Sequence, residues 1–326
     1  MKLEKNGFIK DLQRWNRAYI DYLNTVGKQL NTIKQYSRII EEFIEYSREY
    51  QDDMSMSEIN TLYITSFLSY MENKALKQHK IKLKGNGLSN STKITYIKSL
   101  KAFFGFISDN NDNLFIYDNI FKKIKIKNKS SFHENLRYLD NEEIGKLLFV
   151  LIEKINKTKK DNSSKYNAYR DSLLVKLMLF AGLRISEALN VKMSDFIEID
   201  GKNTYRIRIV AKGGKIQFAY IKKDNIDEEL SYFTNIANLK DNDLIMITRS
   251  GKLLKRENAF VIINSLYKKA GIFKKGVHIL RHSFAMSLVR KRVDSIVIQK
   301  AMRHSNIATT MIYAKAEEGD VIDAIK

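Results

Sequence analysis

Cysteine and proline are both absent from the 326 residues of this chain, and histidine occurs only five times. Without cysteine the chain forms no disulfide, has no thiolate nucleophile and cannot build a thiolate zinc site. Histidines and carboxylates are the only strong metal ligands left. The absence of cysteine fits a reducing, intracellular setting.

Long apolar runs are missing as well. The stretch MKLEKNGFIKDLQRW has charges spread through it and does not have the pattern of a secretory signal. The apolar run DSLLVKLMLFAGL is interrupted by Lys176 and is too short to cross a bilayer. We therefore expect a soluble, cytoplasmic protein without a membrane partner.

Positive charge is in excess. Lysine and arginine together number 57 against 37 acidic residues, which gives a formal net charge of +20. Such a charge favours a polyanionic partner, either nucleic acid or an acidic membrane surface. The length of the chain predicts two domains, each large enough to bury its own core.

Hydrophobic periodicity predicts a helical region over about the first 120 residues. The stretch LNTIKQYSRIIEEFIEY has one apolar stripe, with Lys34 and Arg38 pointing elsewhere, and STKITYIKSLKAFFGF repeats the pattern. The loop between them is basic and leads into a helix that we expect to begin at an N-cap of Asn90 or Ser91. This basic region is either a solvated face or an edge that contacts phosphates.

The best linker in the chain lies at about residues 122–136, where a basic run turns polar. We place the domains at 1–127 and 128–326. Helical structure restarts after it, with Asp140 as N-cap and Glu143 completing a capping box. The alternation in TYRIRIVAKGGKIQFAYI predicts a β-hairpin. The predicted fold class is mainly α, with two domains and a small antiparallel sheet in the second.

The stretch HILRHSFA concentrates candidate chemistry on one helical face, since His278, Arg281 and His282 are spaced at i, i+3 and i+4. A zinc-binding helix of this kind requires Glu directly after the first histidine, where this chain has Ile279, and Arg281 would repel a metal. We therefore predict no metal site. An anion-binding face is the alternative, with His282 expected to support the fold.

A second guanidinium comes from FAGLRISEALNVKMSDF, where Arg184 stands at a predicted helix start. Arginine is suited to bidentate contact with phosphate oxygens. Glu187, one turn later, either orients Arg184 or a neighbour, or forms an ordinary surface ion pair.

The stretch RHSNIATTMIY adds His304 and Tyr313. A phenol is a poor nucleophile at neutral pH because its pKa is about 10. Beside guanidiniums and an imidazole it could attack a phosphodiester, although a lone tyrosine is ordinarily a packing residue. The chain must bend between the two residues for them to meet, and Ser305, Asn306 and Thr309 are candidate caps.

Together, GLRISEAL, AKGGK, HILRH and RHSNIATTMIY, in this order, resemble the tyrosine recombinase family of site-specific DNA recombinases and phage-type integrases. The resemblance is close over residues 136–315 and looser over 10–120. It implies a helical, SAM-like core-binding domain and a mixed α/β catalytic domain, which form a C-shaped clamp on DNA.

By motif position, the resemblance implies that two arginines and His304 bind the scissile phosphate, that Tyr313 attacks it, and that His278 assists proton transfer at the tyrosine. A lysine in the hairpin turn, Lys212 or the nearby Lys215, protonates the leaving oxygen. The implied catalytic set is Arg184, Lys212, His278, Arg281, His304 and Tyr313, with Glu187 and His282 in support. The residues predicted to contact DNA are Lys34, Arg38, Lys82, Lys84, Lys93, Lys98 and Lys101.

One departure from the family pattern precedes His304. Arg303 stands where the family usually has glycine, and we expect it either to face solvent or to contact a phosphate. After Tyr313, the apolar residues Val321, Ile322 and Ile325 either anchor the chain on a neighbouring protomer or belong to a frayed tail.

The resemblance implies a recombinase that needs no cofactor and works through a 3′-phosphotyrosyl intermediate and a Holliday junction. The expected partners are double-stranded DNA with inverted half-sites, a homotetramer on two such sites, and a second recombinase or a DNA translocase. The simpler domain plan favours an Xer-like enzyme for chromosome or plasmid dimers in the bacterial nucleoid. The alternatives are a mobile-element integrase, a type IB topoisomerase and a catalytically silent DNA-binding protein.

Overall fold

The chain divides into two compact units in a computed structural model, Met1–Ser130 and Ser131–Lys326. The structure describes residues 1–3, 7–50, 54–78, 88–126, 137–158, 162–211 and 214–304, together with 310 and 313. In these parts of the chain, no helix has both the length and the apolar character that a membrane span requires.

The first unit consists of helices joined by turns and loops in its described residues. A short 3-10 turn, Met56–Glu58, precedes the third helix. The α-helices of this unit are α1 (Phe8–Thr25), α2 (Leu30–Tyr50), α3 (Thr61–Gln78), α4 (Asn90–Asn110) and α5 (Asp118–Lys122).

Aromatic side chains fill the core of the first unit, where α2 packs against α1 and α4. Phe43 of α2 meets Phe67 and Phe104 edge to face, with ring centroids 5.1 and 5.8 Å apart. The apolar stripes predicted for α2 and α4 are confirmed, because Ile40, Phe43, Leu100, Phe103 and Phe104 are fully buried. The repeated sequence pattern thus marks two helices that share one core.

Neither residue predicted as the N-cap of α4, Asn90 or Ser91, is the cap. The cap is Ser89, whose Oγ accepts a hydrogen bond from the backbone N–H of Thr92 at 3.1 Å. Asn90 is already the first residue of the helix. Serine and asparagine cap helices about equally well, so residue preference does not separate neighbouring candidates in SNST.

The second unit combines helices with one small sheet. In its described residues the helices are α6 (Asn141–Lys157), α7 (Asn162–Phe180), α8 (Ile185–Ala188), α9 (Asp227–Asn235), α10 (Arg256–Lys269), α11 (His278–Arg290) and α12 (Ser295–Met302). The strands β1 (Phe196–Glu198), β2 (Thr204–Val210) and β3 (Ile216–Lys222) form an antiparallel sheet in sequence order.

Helix α7 is the centre of the second unit, since it packs against α6, α9, α10 and α11. Its residues from Ala168 to Val175 are buried, which explains why its sequence has no polar face. The predicted start of α6 is confirmed, because the Asp140 side chain accepts from the Glu143 N–H and the Glu143 side chain accepts from the Asp140 N–H. Helix α11 is fixed to the chain before α6 by Ser283 Oγ, which accepts from the Leu139 N–H at 2.8 Å.

The predicted hairpin is confirmed as β2 and β3, with Ile207 opposite Ala219. Ile207 and Ala219 both face the core. Because facing residues of an antiparallel pair share a side, this register turns Phe218 and its alternate neighbours outward. Phe218 is covered on that outer face by the Arg206 guanidinium, 4.8 Å from the ring centroid.

Replacing the α4 cap tests the start of that helix. We expect Ser89→Ala to lower the free energy of unfolding of the first unit by about 1 kcal/mol, because a backbone N–H loses its acceptor. Ser91→Ala should change it little, since Ser91 lies inside the helix. Denaturant unfolding followed by Trp15 fluorescence measures both, because Trp15 is the only tryptophan and packs on Phe106 of α4. A larger effect at Ser91 would contradict the assignment.

Candidate active site

A glycine at the end of α7 sets up the site. Gly182 has φ of 60°, in the left-handed region, and a side chain there would collide with the Phe284 ring. Its carbonyl accepts hydrogen bonds from Arg281 Nη1 and from Arg303 Nη2, the latter at 2.9 Å. The turn therefore brings arginines from α11 and from the end of α12 to one backbone oxygen.

Arg184 follows this turn as the N-cap of α8, where the sequence placed it. Its Nη1 donates to Glu187 Oε1 at 2.6 Å, and its Nη2 donates to the Arg303 carbonyl at 3.0 Å. Its backbone N–H donates to the other Glu187 oxygen at 2.8 Å. The side chain remains 39% exposed, so the guanidinium is held on one side and open on another.

Glu187 is the anion at the centre of three guanidiniums. Its Oε2 lies 2.9 Å from Arg303 Nη2 and 3.9 Å from Arg281 Nη1, in addition to the bonds with Arg184. Burial favours a higher pKa for Glu187, but the Arg303 charge and the hydrogen bonds from Arg184 outweigh it and lower the pKa. The ion pair of Glu187 with Arg184 is present, but the expectation of an ordinary surface pair is wrong, because the Glu187 side chain is only 8% exposed.

Arg281 is buried on α11 and donates to the Gly182 and Met302 carbonyls. Burial, followed by the charges of Arg184 and Arg303, lowers the pKa of Arg281 to about 9. The guanidinium therefore remains protonated at neutral pH. Its two hydrogen bonds to carbonyls leave further N–H donors of the five on the group.

Arg303 does not face solvent, and that expectation for it is wrong. It is the C-cap of α12 with a left-handed backbone, φ 52°, and its side chain is 3% exposed. Its guanidinium donates to the Gly182 carbonyl, to the Glu187 carboxylate and, at 3.0 Å, to the Ala301 carbonyl. These three partners are all groups of the protein itself. The left-handed position that usually takes glycine here directs an arginine into the interior.

Tyr313 lies between two imidazoles. Its hydroxyl is 2.7 Å from Nδ1 of His282, and its ring stacks on His304 at a centroid distance of 6.4 Å and an interplanar angle of 11°. His304 Nδ1 in turn lies 3.0 Å from Thr310 Oγ1. The structure thus brings His304 and Tyr313 together, as the sequence required, while the proposed caps Ser305, Asn306 and Thr309 lie outside the described residues.

The two histidines of α11 have different surroundings. His278 is exposed, whereas the more buried His282 makes the hydrogen bond with the Tyr313 hydroxyl. The sequence assigned His282 to support of the fold, and the resemblance gave the proton-transfer role at the tyrosine to His278. Only the packed structure distinguishes the two, since both occupy the same helical face.

Burial and neighbouring cations set the protonation states of this cluster. Burial, with the charges of Arg281, Arg184 and Arg303, lowers the pKa of His304 to about 4. Burial, with His278 and Arg281, lowers the pKa of His282 to about 4. Burial raises the pKa of Tyr313 to about 12, although the Arg281 charge opposes the rise. At neutral pH both imidazoles are neutral and the phenol keeps its proton.

A cleft of about 840 Å³ opens beside this cluster, between α8 and the hairpin. Arg184 and Arg303 line one side of it, and Arg208 and Lys215 line the other. Lys212 lies outside the described residues. Among the described residues of the hairpin turn, Lys215 is the lysine that lines the cleft.

The sequence also predicted no metal site, and it predicted a set of residues that contact DNA. No cluster of three histidines or carboxylates suited to a metal occurs among the residues with described positions. Of the predicted DNA-contacting residues, Lys82 and Lys84 lie outside the described residues, and the others lie on helices of the first unit: Lys34 and Arg38 on α2, and Lys93, Lys98 and Lys101 on α4.

Two of these helical residues are held by carboxylates. Arg38 pairs with Glu42 at 2.9 Å, and Lys93 pairs with Glu72 at 2.9 Å. Lys34, Lys98 and Lys101 are exposed. The basic surface of α2 and α4 therefore contains anions as well, which the sequence spacing did not reveal.

Comparison with known proteins identifies the class of protein. A model described as the phage integrase family matches residues 146–319, which is more than half of the chain, and a model of the phage integrase SAM-like domain matches residues 12–105. The chain belongs to the phage integrase family. It is a tyrosine site-specific recombinase, and the resemblance drawn from the motifs is confirmed.

Curated relatives of this recombinase include two XerH proteins. Tyrosine recombinase XerH of Helicobacter pylori is 30% identical over 302 residues, which cover 89% of this chain and 75% of the relative. XerH of Campylobacter jejuni is 30% identical over 236 residues, covering 69% of this chain and 62% of the relative. A crystal structure of XerH bound to palindromic difH substrate, a post-cleavage complex, matches with a TM-score of 0.78 and 25% identity, over 99% of this chain and 98% of that chain.

Removing the central carboxylate tests how far the site depends on it. We expect Glu187→Ala to lower the free energy of unfolding of the second unit by roughly 3 kcal/mol, because it leaves buried guanidiniums without their anion. Glu198→Ala is the matched control, since Glu198 pairs with Lys223 but is 62% exposed, and it should cost well under about 1 kcal/mol. Calorimetric unfolding of both variants measures the difference, and equal effects would contradict the central role of Glu187.

Proposed function

We propose that this recombinase cuts DNA by attack of the Tyr313 hydroxyl on a phosphodiester, which forms a 3′-phosphotyrosyl bond and releases a 5′-hydroxyl. The observation that carries the proposal is the position of the phenol, hydrogen-bonded to His282 and stacked on His304 beside anchored guanidiniums. A nucleophile next to fixed cations needs little rearrangement as charge develops on the phosphate.

Arg184 and Arg281 bind the non-bridging oxygens of the scissile phosphate, and His304 adds a hydrogen bond. Support comes from their anchoring, because each guanidinium is fixed by carbonyl or carboxylate partners that use only some of its N–H donors. Glu187 and Arg303 are positioning residues in this scheme. They hold Arg184 and the end of α12, from which His304 follows.

A lysine of the hairpin turn protonates the leaving 5′-oxygen. Lys215 lines the cleft that Arg184 also lines, which supports it as one candidate. Lys212 remains the other candidate through the motif position, and the rates of the two alanine variants will distinguish them. The lysines and arginine of α2 and α4 contact DNA phosphates, and the net charge of +20 supports this because it favours a polyanionic partner.

The biological role we propose is the Xer-like one, in which dimers of a chromosome or plasmid are resolved at paired inverted half-sites through a Holliday junction. The similarity to XerH proteins over most of this chain supports it. We further propose that four copies act on two sites in the bacterial nucleoid, with a second recombinase or a DNA translocase as further partners. Val321, Ile322 and Ile325, the suggested anchor between copies, lie outside the described residues.

The covalent intermediate can be tested on unselected DNA. Purified recombinase is incubated with sheared, nicked genomic DNA of its source, and the DNA that survives denaturing detergent on the protein is sequenced. We expect wild type to capture one inverted-repeat site. Tyr313→Phe should capture none but should bind that site with an affinity within a few-fold of wild type, because only the attacking oxygen is removed. No covalent DNA with wild type would overturn the proposal.

The reaction should be independent of divalent metals. We expect covalent capture to proceed at an unchanged rate in excess EDTA, since the guanidiniums supply the positive charge that Mg²⁺ supplies in other phosphoryl transfers. Parallel reactions with EDTA and with added Mg²⁺ measure this. A loss in EDTA that Mg²⁺ restores would contradict the mechanism.

Site-specific exchange can be distinguished from topoisomerase activity on plasmids. A plasmid with two captured sites in direct repeat should resolve into two circles, and a plasmid without the site should keep its supercoils. Relaxation of the second plasmid would favour a type IB topoisomerase.

A further inference from the structure

We propose that His282 is a catalytic residue that accepts the proton of Tyr313 as the tyrosine attacks the phosphate. This inference rests on the proposed function, because it assigns a proton acceptor to the same nucleophile. The motif resemblance gave this role to His278 and left His282 with support of the fold.

The geometry that carries the proposal is a direct contact. Nδ1 of His282 lies 2.7 Å from the Tyr313 hydroxyl oxygen, within the range of a short hydrogen bond, and the rings are 5.7 Å apart at 49°. Among the described hydrogen bonds, this is the one that reaches the Tyr313 hydroxyl. A candidate general base must lie within such a distance of the proton that it removes.

Burial explains why the nucleophile needs a protein base. Tyr313 is 3% exposed, so bulk water has little access to its hydroxyl. With a pKa near 12, only about one phenol in 10⁵ ionises unaided at neutral pH. A neighbouring imidazole that takes the proton during attack removes the need for this rare ionised state.

The surroundings of His282 keep its lone pair available. Among the described residues, the titratable groups around it are His278 and Arg281 from its own helix, together with Tyr313 and His304 from the chain after α12. Burial and the charge of Arg281 disfavour a second proton, and His282 is therefore neutral before DNA binds. A phosphate bound at Arg281 adds a negative charge beside the imidazole and increases its basicity.

Cleavage involves two proton transfers, one at the attacking oxygen and one at the leaving oxygen of the same phosphorus atom. The Tyr313 hydroxyl proton moves to Nδ1 of His282, which must begin as the tautomer protonated at Nε2. The phenolic oxygen forms a bond to phosphorus, the bond from phosphorus to the 5′-oxygen breaks, and that oxygen takes a proton from the hairpin lysine. In rejoining, the 5′-hydroxyl attacks phosphorus and gives its proton to the hairpin lysine. The bond from phosphorus to the phenolic oxygen breaks, and His282 returns its proton to Tyr313.

Asparagine separates basicity from hydrogen bonding at this position. Its amide occupies nearly the place of the imidazole Nδ1 and can still hydrogen-bond the phenol, but it cannot accept a proton near neutral pH. We expect His282→Asn to slow covalent adduct formation on the captured site by roughly 10²-fold or more. Its melting temperature and DNA affinity should stay close to those of wild type, and His282→Ala provides the comparison in which the contact is also lost.

Chemical changes in the attacking group and in the leaving group test whether His282→Asn has lost a proton acceptor. A fluorinated tyrosine placed at position 313 by amber suppression has a more acidic phenol, and it should recover much of the rate lost in His282→Asn. A 5′-bridging phosphorothiolate in the DNA, whose leaving group needs no proton, should not recover it. The same phosphorothiolate should rescue the alanine variant of whichever lysine, Lys212 or Lys215, acts as the acid, which makes that variant the matched control.

Three results would overturn the role of His282. They are a wild-type rate in His282→Asn, a rate above wild type, and a deficit that the fluorinated tyrosine leaves unchanged. The second would mean that the hydrogen bond restrains the nucleophile, and the third that His282 only supports the fold. Absence of any adduct with wild type would instead reject the proposed function itself, and the inference with it.

Discussion

The ion cluster around the buried Glu187 carboxylate is the interaction on which the rest of the site depends. Its charge is met by guanidiniums from three separate parts of the chain, Arg184, Arg281 and Arg303. Buried guanidiniums without an anion would repel one another and lose their hydration. One carboxylate thus allows α8, α11 and the end of α12 to converge, and it leaves an excess of positive charge on the side that meets the cleft.

The same burial that strengthens this charge weakens the nucleophile. Excluding water lowers the effective dielectric constant, so a guanidinium acts more strongly on a bound phosphate. It also disfavours the phenolate of Tyr313. The contact with His282 gives the buried phenol a neighbouring proton acceptor. A neutral imidazole serves here because it costs far less to bury than a second anion.

Local sequence patterns predicted the features that depend on neighbouring residues. The stripe of α2, the capping box at Asp140 and the helix start at Arg184 all arise from contacts a few residues apart. The outward side of β3 depends on register with β2, and the burial of Arg303 depends on Gly182, 121 residues earlier. Contacts of that separation leave no periodic signal in a single sequence.

The sequence likewise predicted one part of the candidate site and not the other. Residue type and motif order selected the arginines, His304 and Tyr313, because chemistry at phosphate needs those groups. They could not select between His278 and His282, which share one helical face and differ only in what packs against them. Distinguishing two equivalent positions on a helix requires the partner element.

Arg303 also affects which substitutions this sequence can accept. A glycine at that left-handed position would remove backbone strain of about 1–2 kcal/mol, yet it would withdraw a cation from Glu187. Substitution by glycine is therefore favourable for the backbone and unfavourable for the carboxylate. The two positions are expected to be epistatic, so that arginine at 303 is entrenched as long as the acid at 187 stays buried.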